Sequence, residues 1–195
     1  MSDAGERAVF LDRDGVLNDD VHLITTPAQF LVLPGVPAAL ERIAKAGFHL
    51  IVISNQPIVA RGMATEAEVD ELHEFLRNQI TKQGGPRIEA FYFCPHHPNA
   101  NVMQYRQDCE CRKPSPGMIQ QAARDHGINL NASYMVGDRI TDVIAGSKAG
   151  CRTVQVTTGK ENDAPLQGTD PKDLETKPDY ICDGLPAAVE WILQS

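Results

Sequence analysis

Residues 8–11, Ala8-Val9-Phe10-Leu11, form a short apolar run that breaks off into the polar turn Asp12-Arg13-Asp14-Gly15. The same rhythm recurs down the chain. Residues 36–46 carry apolar positions at helical spacing and stop at Gly47, which suits a residue just past a helix end. Residues 48–54 are largely apolar and β-branched, the pattern of a strand buried on both faces. Thr65 and Glu68 have the spacing of a capping box and predict a long helix to about Gln83, ended by Gly84-Gly85. Strands are predicted at 87–93, 133–136, 152–157 and 180–182, and helices at 116–126, 140–149 and 185–193. Strand and helix in alternation predict an α/β fold, a three-layer Rossmann-like parallel sheet with helices on both faces. The polar stretch 161–177 reads as a surface loop.

In such sheets ligands bind beyond the carboxyl ends of the strands. The polar clusters of this chain fall there. Asp12 follows the first strand, Ser54-Asn55-Gln56 the second, Cys94-Pro95-His96 the third and Gly137-Asp138 the fourth.

At 195 residues, 42% of them hydrophobic, the chain suits one domain spanning 1–195. A net charge of −8 and no basic block argue against nucleic acid and anionic membrane as partners. No apolar run approaches the roughly 20 residues of a membrane span, and the first apolar run is too short for a secretory signal. The expected location is cytoplasmic, where the five cysteines stay reduced and are buried, reactive or metal-bound.

Four acids stand at or near strand ends: Asp12, Asp14, Asp138 and Asp142. Clustered carboxylates repel one another and need a cation, and an all-oxygen donor set suits Mg²⁺. Residues i and i+2 of an extended chain point the same way, so Asp12 and Asp14 can face one substrate. Asp12 then reads as a nucleophile forming an acyl phosphate, and Asp14 as the group moving protons to the leaving alcohol and from water. Taken alone, Asp-Arg-Asp-Gly is equally a surface turn. An EF-hand is ruled out, because glycine follows Asp14 directly and the closing acid is missing.

Phosphoryl chemistry also needs donors for the non-reacting oxygens. Ser54, the amides around Asn55, and Lys113 fill that need, and Arg112 and Arg139 are further cationic candidates. Cys94-x-His96, twelve intervening residues and Cys109-x-Cys111 form two pairs of soft ligands suited to tetrahedral Zn²⁺. Four protein ligands leave no open position, so this zinc is structural and staples the loop before Lys113. The spacing favours His96 over its neighbour His97. Two buried thiols and a redox pair are the alternative. Cys151 and Cys182 read as core residues.

Together these segments resemble the haloacid dehalogenase superfamily of phosphatases, histidinol-phosphatase-like branch. The resemblance rests on Phe10 to Asn18, on Ile53-Ser54-Asn55-Gln56, on Cys111-Arg112-Lys113-Pro114 and on Gly137-Asp138 with Asp142. It implies a Mg²⁺-dependent phosphomonoesterase without a cap domain. Asp12 and Asp138 are the implied metal carboxylates, Asp14 adds its backbone carbonyl, and Asp142 supports the site. Ser54 and Lys113 are the implied phosphoryl stabilisers, and Arg112 a substrate-recognition residue. Asp20, Val21, His22 and Leu23 lie where family members contact substrate, as do Asn55, Gln56, Pro57 and Arg139. Pro57-Ile58 stands where relatives usually have Ser-Gly, and His22-Leu23 where they have Gly-Tyr. The implied partner is a small phosphorylated sugar, foremost a heptose bisphosphate, with histidinol phosphate or another small sugar phosphate as alternative. The implied enzyme is a monomer.

Overall fold

A computed structural model describes residues 5–21, 23–159 and 172–195. Six strands form one sheet: β1 (Arg7–Leu11), β2 (Phe48–Asn55), β3 (Ala90–Cys94), β4 (Tyr134–Gly137), β5 (Arg152–Val156) and β6 (Tyr180–Cys182). Their order is β3-β2-β1-β4-β5-β6, and every pairing is parallel. The helices are α1 (Val36–Lys45), α2 (Glu66–Lys82), α3 (Gly117–His126), α4 (Ile140–Ala149) and α5 (Leu185–Gln194).

The alternation of side chains along each strand sorts the core into two layers. On β1, Val9 and Leu11 join Leu50, Val52, Val136 and Val154 under α1, α2 and α5. Ala8 and Phe10 point the other way and join Ile51, Ile53 and Met135 against α3 and α4. Helices therefore cover both faces, as the uninterrupted apolar strands require. A smaller cluster, Ile24, Ile58, Val59, Val69 and Leu72, packs the loop after β2 onto α2.

The helix signals hold. Thr65 accepts from the Glu68 amide at 3.2 Å while the Glu68 carboxylate accepts from the Thr65 amide at 2.7 Å, closing the expected capping box of α2. The third strand starts later than its composition predicts, at Ala90 rather than Arg87. The Arg77 side chain donates to the Ile88 carbonyl at 2.9 Å and the Glu89 carbonyl at 3.4 Å, so these groups bond to a side chain. The loop predicted at 161–177 lies outside the described residues as far as 171. Among the described residues no helix is long and apolar enough to cross a membrane.

The strand order reverses at β1, whose two neighbours, β2 and β4, are reached in opposite directions along the sheet. Crevices for ligands open at the carboxyl ends of such a switch point. Asp12 and Asp138 each follow directly on one of the two strands that flank it.

Candidate active site

β1 ends at Leu11, but the Asp12 amide still donates to the Val136 carbonyl at 2.9 Å, which carries Asp12 to the end of β4. The chain then folds back, with the Leu17 and Asn18 amides donating to the Arg13 carbonyl and the Gly15 amide to the Asn18 carbonyl. Gly15 sits at φ 81°, where a side chain is strained, and a Cβ there would stand 2.5 Å from Asp138 Oδ2. Only glycine lets this turn close over Asp138.

Asp12, Asp138 and Asp142 bring carboxylate oxygens within 4.8 Å of one another. Lys113 enters this trio fully buried. Its Nζ lies 2.9 Å from Asp12 Oδ1 and 2.6 Å from Asp142 Oδ1, and donates to the Ile53 carbonyl at 2.8 Å. Asn55 holds the Lys113 backbone, accepting from its amide at 3.0 Å and donating to its carbonyl at 3.1 Å. Asp142 also accepts from the Arg139 amide at 3.0 Å, at the start of α4.

Burial raises Asp12 to about 6; Asp142 and Asp14 push the same way, against Lys113. Burial raises Asp138 further, to about 8, with Asp12 and Asp142 adding to it. Lys113 moves up: burial opposes its charge, but Asp12 and Asp142 outweigh it. Neither Asp138 oxygen accepts a hydrogen bond among the described residues, and the Arg139 Nε stands 3.8 Å away. A buried carboxylate without donors is costly unless a cation neutralises it. An all-oxygen set with one lysine to balance three acids fits a hard divalent ion such as Mg²⁺.

The Asp14 carboxylate belongs to a separate set. Arg13 grips it with a fork, Nε to Oδ1 at 3.1 Å and Nη2 to Oδ2 at 2.8 Å, while Asn18 donates at 2.9 Å. Burial works to raise its carboxyl, but the Arg13 guanidinium, with Asn18 and Gln56 donating, holds it below the usual carboxylate range. Gln56 ties this set to Ser54, its Nε2 lying 3.3 Å from Asp14 Oδ2 and 2.8 Å from the Ser54 hydroxyl. Arg13 and Asn18, both wholly buried, had no role assigned from sequence. The only signal was their position, flanking Asp14 in a charged turn that had to be buried.

Cys94, His96, Cys109 and Cys111 form a compact tetrad. The three sulfurs are 3.1, 3.2 and 3.5 Å apart, and His96 Nδ1 lies 3.4 Å from Cys111 Sγ and 3.7 Å from Cys94 Sγ. All the cysteines are free thiols. Ligands on a tetrahedral zinc with bonds of about 2.0–2.3 Å sit roughly 3.3–3.8 Å apart, so the histidine lies at that spacing and the sulfurs need to part by a few tenths of an ångström or more to take the ion. Hydrogen bonds from Cys94 and Cys109 bring Cys111 down to about 5, toward the thiolate that binds metal. His97 points elsewhere, its Nδ1 accepting from the Asn99 amide at 3.0 Å.

The residues expected on the substrate side are dispersed. Arg139 pairs with the buried Asp20 at 2.9 Å, spanning the loop after β1 and the start of α4. Arg112 donates to the His96 carbonyl at 3.0 Å and so braces the tetrad's loop. Val21 is exposed, Leu23 packs on the cluster over α2, and Pro57 is half-buried. Asn55 and Gln56 spend their side chains inside the site, on Lys113 and on Ser54 with Asp14. His22 lies outside the described residues.

A family model described as HAD-hydrolase-like matches residues 110–188. A D-glycero-D-manno-heptose-1,7-bisphosphate 7-phosphatase of Thermosynechococcus vestitus is 40% identical over 188 residues, 95% of this chain and 94% of its own. A D-glycero-beta-D-manno-heptose-1,7-bisphosphate 7-phosphatase of Haemophilus ducreyi is 40% identical over 80% of this chain and 86% of its own. The crystal structure of a D,D-heptose 1,7-bisphosphate phosphatase from B. bronchiseptica, complexed with magnesium and phosphate, superposes with a TM-score of 0.78 at 32% identity, covering 97% of this chain and 98% of that one. On this fold and these identities, the chain belongs to the family of D-glycero-D-manno-heptose-1,7-bisphosphate 7-phosphatases within the HAD-like hydrolases.

Proposed function

We propose that this protein is a Mg²⁺-dependent phosphomonoesterase that removes the C7 phosphate of D-glycero-D-manno-heptose 1,7-bisphosphate. The observation that carries this is the buried Lys113 between Asp12 and Asp142, beside an Asp138 carboxylate that accepts no hydrogen bond among the described residues. The named relatives, matched over most of both chains, support the substrate.

An Asp12 oxygen attacks phosphorus, and the bond from phosphorus to the C7 oxygen breaks. Lys113 stabilises the attacking carboxylate and the charge on the phosphoryl oxygens, and the Ser54 hydroxyl donates to those oxygens. Asp14 supplies the proton to the departing alkoxide and then takes one from the water that attacks the aspartyl phosphate. The Arg13 fork favours the Asp14 carboxylate, which suits that second transfer and opposes the first, so the proton Asp14 gives to the alkoxide is one it takes from the monoanionic phosphate as substrate binds. The carboxylates of Asp12 and Asp138, with the Asp14 carbonyl, would hold Mg²⁺, whose charge would offset the negative charge that otherwise repels a phosphate. Asp142 sets Lys113 and the first turn of α4.

The whole chain, 1–195, acts as a single domain and a monomer in the cytoplasm. Its zinc on Cys94, His96, Cys109 and Cys111 is structural, and its loop shapes an uncapped site. Of the residues expected to contact substrate, Val21, Pro57, Arg112 and Arg139 keep exposed surface for it, while Asp20, Leu23, Asn55 and Gln56 position their neighbours from inside. Phosphate release with Mg²⁺, compared on heptose 1,7-bisphosphate and histidinol phosphate, tests the assignment. A higher kcat/KM on the heptose is expected. A preference for histidinol phosphate, or for another ester, refutes it.

A further inference from the structure

At the opposite end of the sheet, a second group of metal-binding side chains stands apart from everything used above. His49 near the start of β2, Glu89 just before β3 and His126 on the last turn of α3 bring ligand atoms within 4.8 Å of one another. His49 and Ser54 are five residues apart along β2, so about 16 Å separates this group from the candidate active site.

His49 and Glu89 already face each other. His49 Nδ1 lies 2.5 Å from Glu89 Oε2, and its other nitrogen, Nε2, lies 3.6 Å from Glu6 Oε2. A metal-bound imidazole commonly gives its second N–H to a carboxylate, which fixes the ring. The other Glu89 oxygen accepts from the Leu50 amide at 3.3 Å, leaving Oε2 to face His49. Tyr92 packs edge-on against the His126 ring and is tied by its hydroxyl to Asp125 at 2.8 Å.

We infer that His49, Glu89 and His126 bind a divalent transition-metal ion of the zinc type, with water in the fourth position. Two imidazoles and one carboxylate select such an ion over Mg²⁺ or Ca²⁺. Binding replaces the direct His49–Glu89 contact, and the two ligand atoms separate to the roughly 3.3 Å spacing of neighbouring tetrahedral ligands. The ion would join α3 to β2 and the segment entering β3, which are themselves linked by the Glu89 amide donating to the Leu50 carbonyl at 3.0 Å.

The test counts zinc bound to the full chain with Mg²⁺ in large excess, so that the acid trio is occupied. His126→Asn and His49→Asn are each expected to hold one equivalent fewer than wild type, or to bind it at least tenfold more weakly, with phosphatase kcat/KM unchanged. Zinc content equal to wild type in both variants overturns the site. A second measurement needs no variant. Titration of wild type with Co²⁺ should add a second equivalent that shifts two further imidazole proton resonances without raising the thiolate-to-metal absorption. Saturation after the thiolate-bound equivalent alone overturns the proposal, whatever the enzyme's substrate proves to be.

Discussion

Asp12 and Asp14 are two residues apart and meet opposite electrostatic surroundings. Burial lifts the Asp12 carboxyl to about 6, while Arg13 keeps Asp14 below the ordinary range. In the metal-free site Asp12 therefore takes up a proton before Asp14 does, and Asp14 stays the carboxylate that can accept a proton from the attacking water. The spacing made the pair visible in the sequence. Their divergence was not visible there, because β1 stops at Leu11 and the turn beyond it does not keep the extended alternation. The raised acids also set a pH dependence for the metal. Asp138 at about 8 and Asp12 at about 6 must lose their protons to hold a cation. Mg²⁺ affinity should therefore rise as pH increases from 6 to 8, with proton release. Calorimetric titrations in buffers of different ionisation enthalpy measure both. A Kd independent of pH across that window would contradict the assignment.

Between α2 and β3, His73 is 2% exposed, stacks on Phe91 at 4.7 Å and meets Phe93 edge-on at 5.5 Å. Neither of its ring nitrogens has a hydrogen-bond partner among the described residues. Burial, with Arg13 and Arg77 adding to it against Asp14, brings the ring from 6.5 down to about 3. The native ring thus stays neutral where the unfolded ring takes up a proton. The helix's stabilising contact is complete above pH 6.5 and is lost progressively as pH falls toward 3. At pH 5 the loss is about 2 kcal/mol. His73→Phe keeps the stack and should lose less stability than wild type between pH 7 and pH 5 by about that amount in urea melts. Parallel losses would contradict it. The capping box of α2 was legible as Thr65 and Glu68, because local hydrogen bonds have fixed spacing. The late start of β3 was not, since it depends on Arg77, a residue on another element.

The loop from β3 to α3 is the other element whose order depends on distant residues. Its tetrad was readable as two pairs of soft ligands, and the structure closes them into one cluster. Cys109→Ser should lower zinc content and the thermal midpoint, with a smaller effect on kcat measured below that midpoint. Unchanged melting with zinc removed would contradict a structural role.

Across the whole molecule, the parallel sheet was legible from uninterrupted apolar strands, and the site from the polar residues at their carboxyl ends. Strand order was not written in any local pattern. It emerges from packing α1, α2 and α5 on one face and α3 and α4 on the other. That order puts β1 beside β4, and so gathers Asp12, Asp138, Asp142 and Lys113 from segments as much as 130 residues apart. The proposed chemistry rests on that gathering, and a covalent intermediate is its most direct consequence. Borohydride added during turnover of heptose 1,7-bisphosphate with Mg²⁺ reduces an acyl phosphate to an alcohol. Peptide mass mapping should then find Asp12 converted to homoserine, only when substrate is present. Unmodified Asp12 under steady turnover, or reduction at a different carboxylate, would contradict the account.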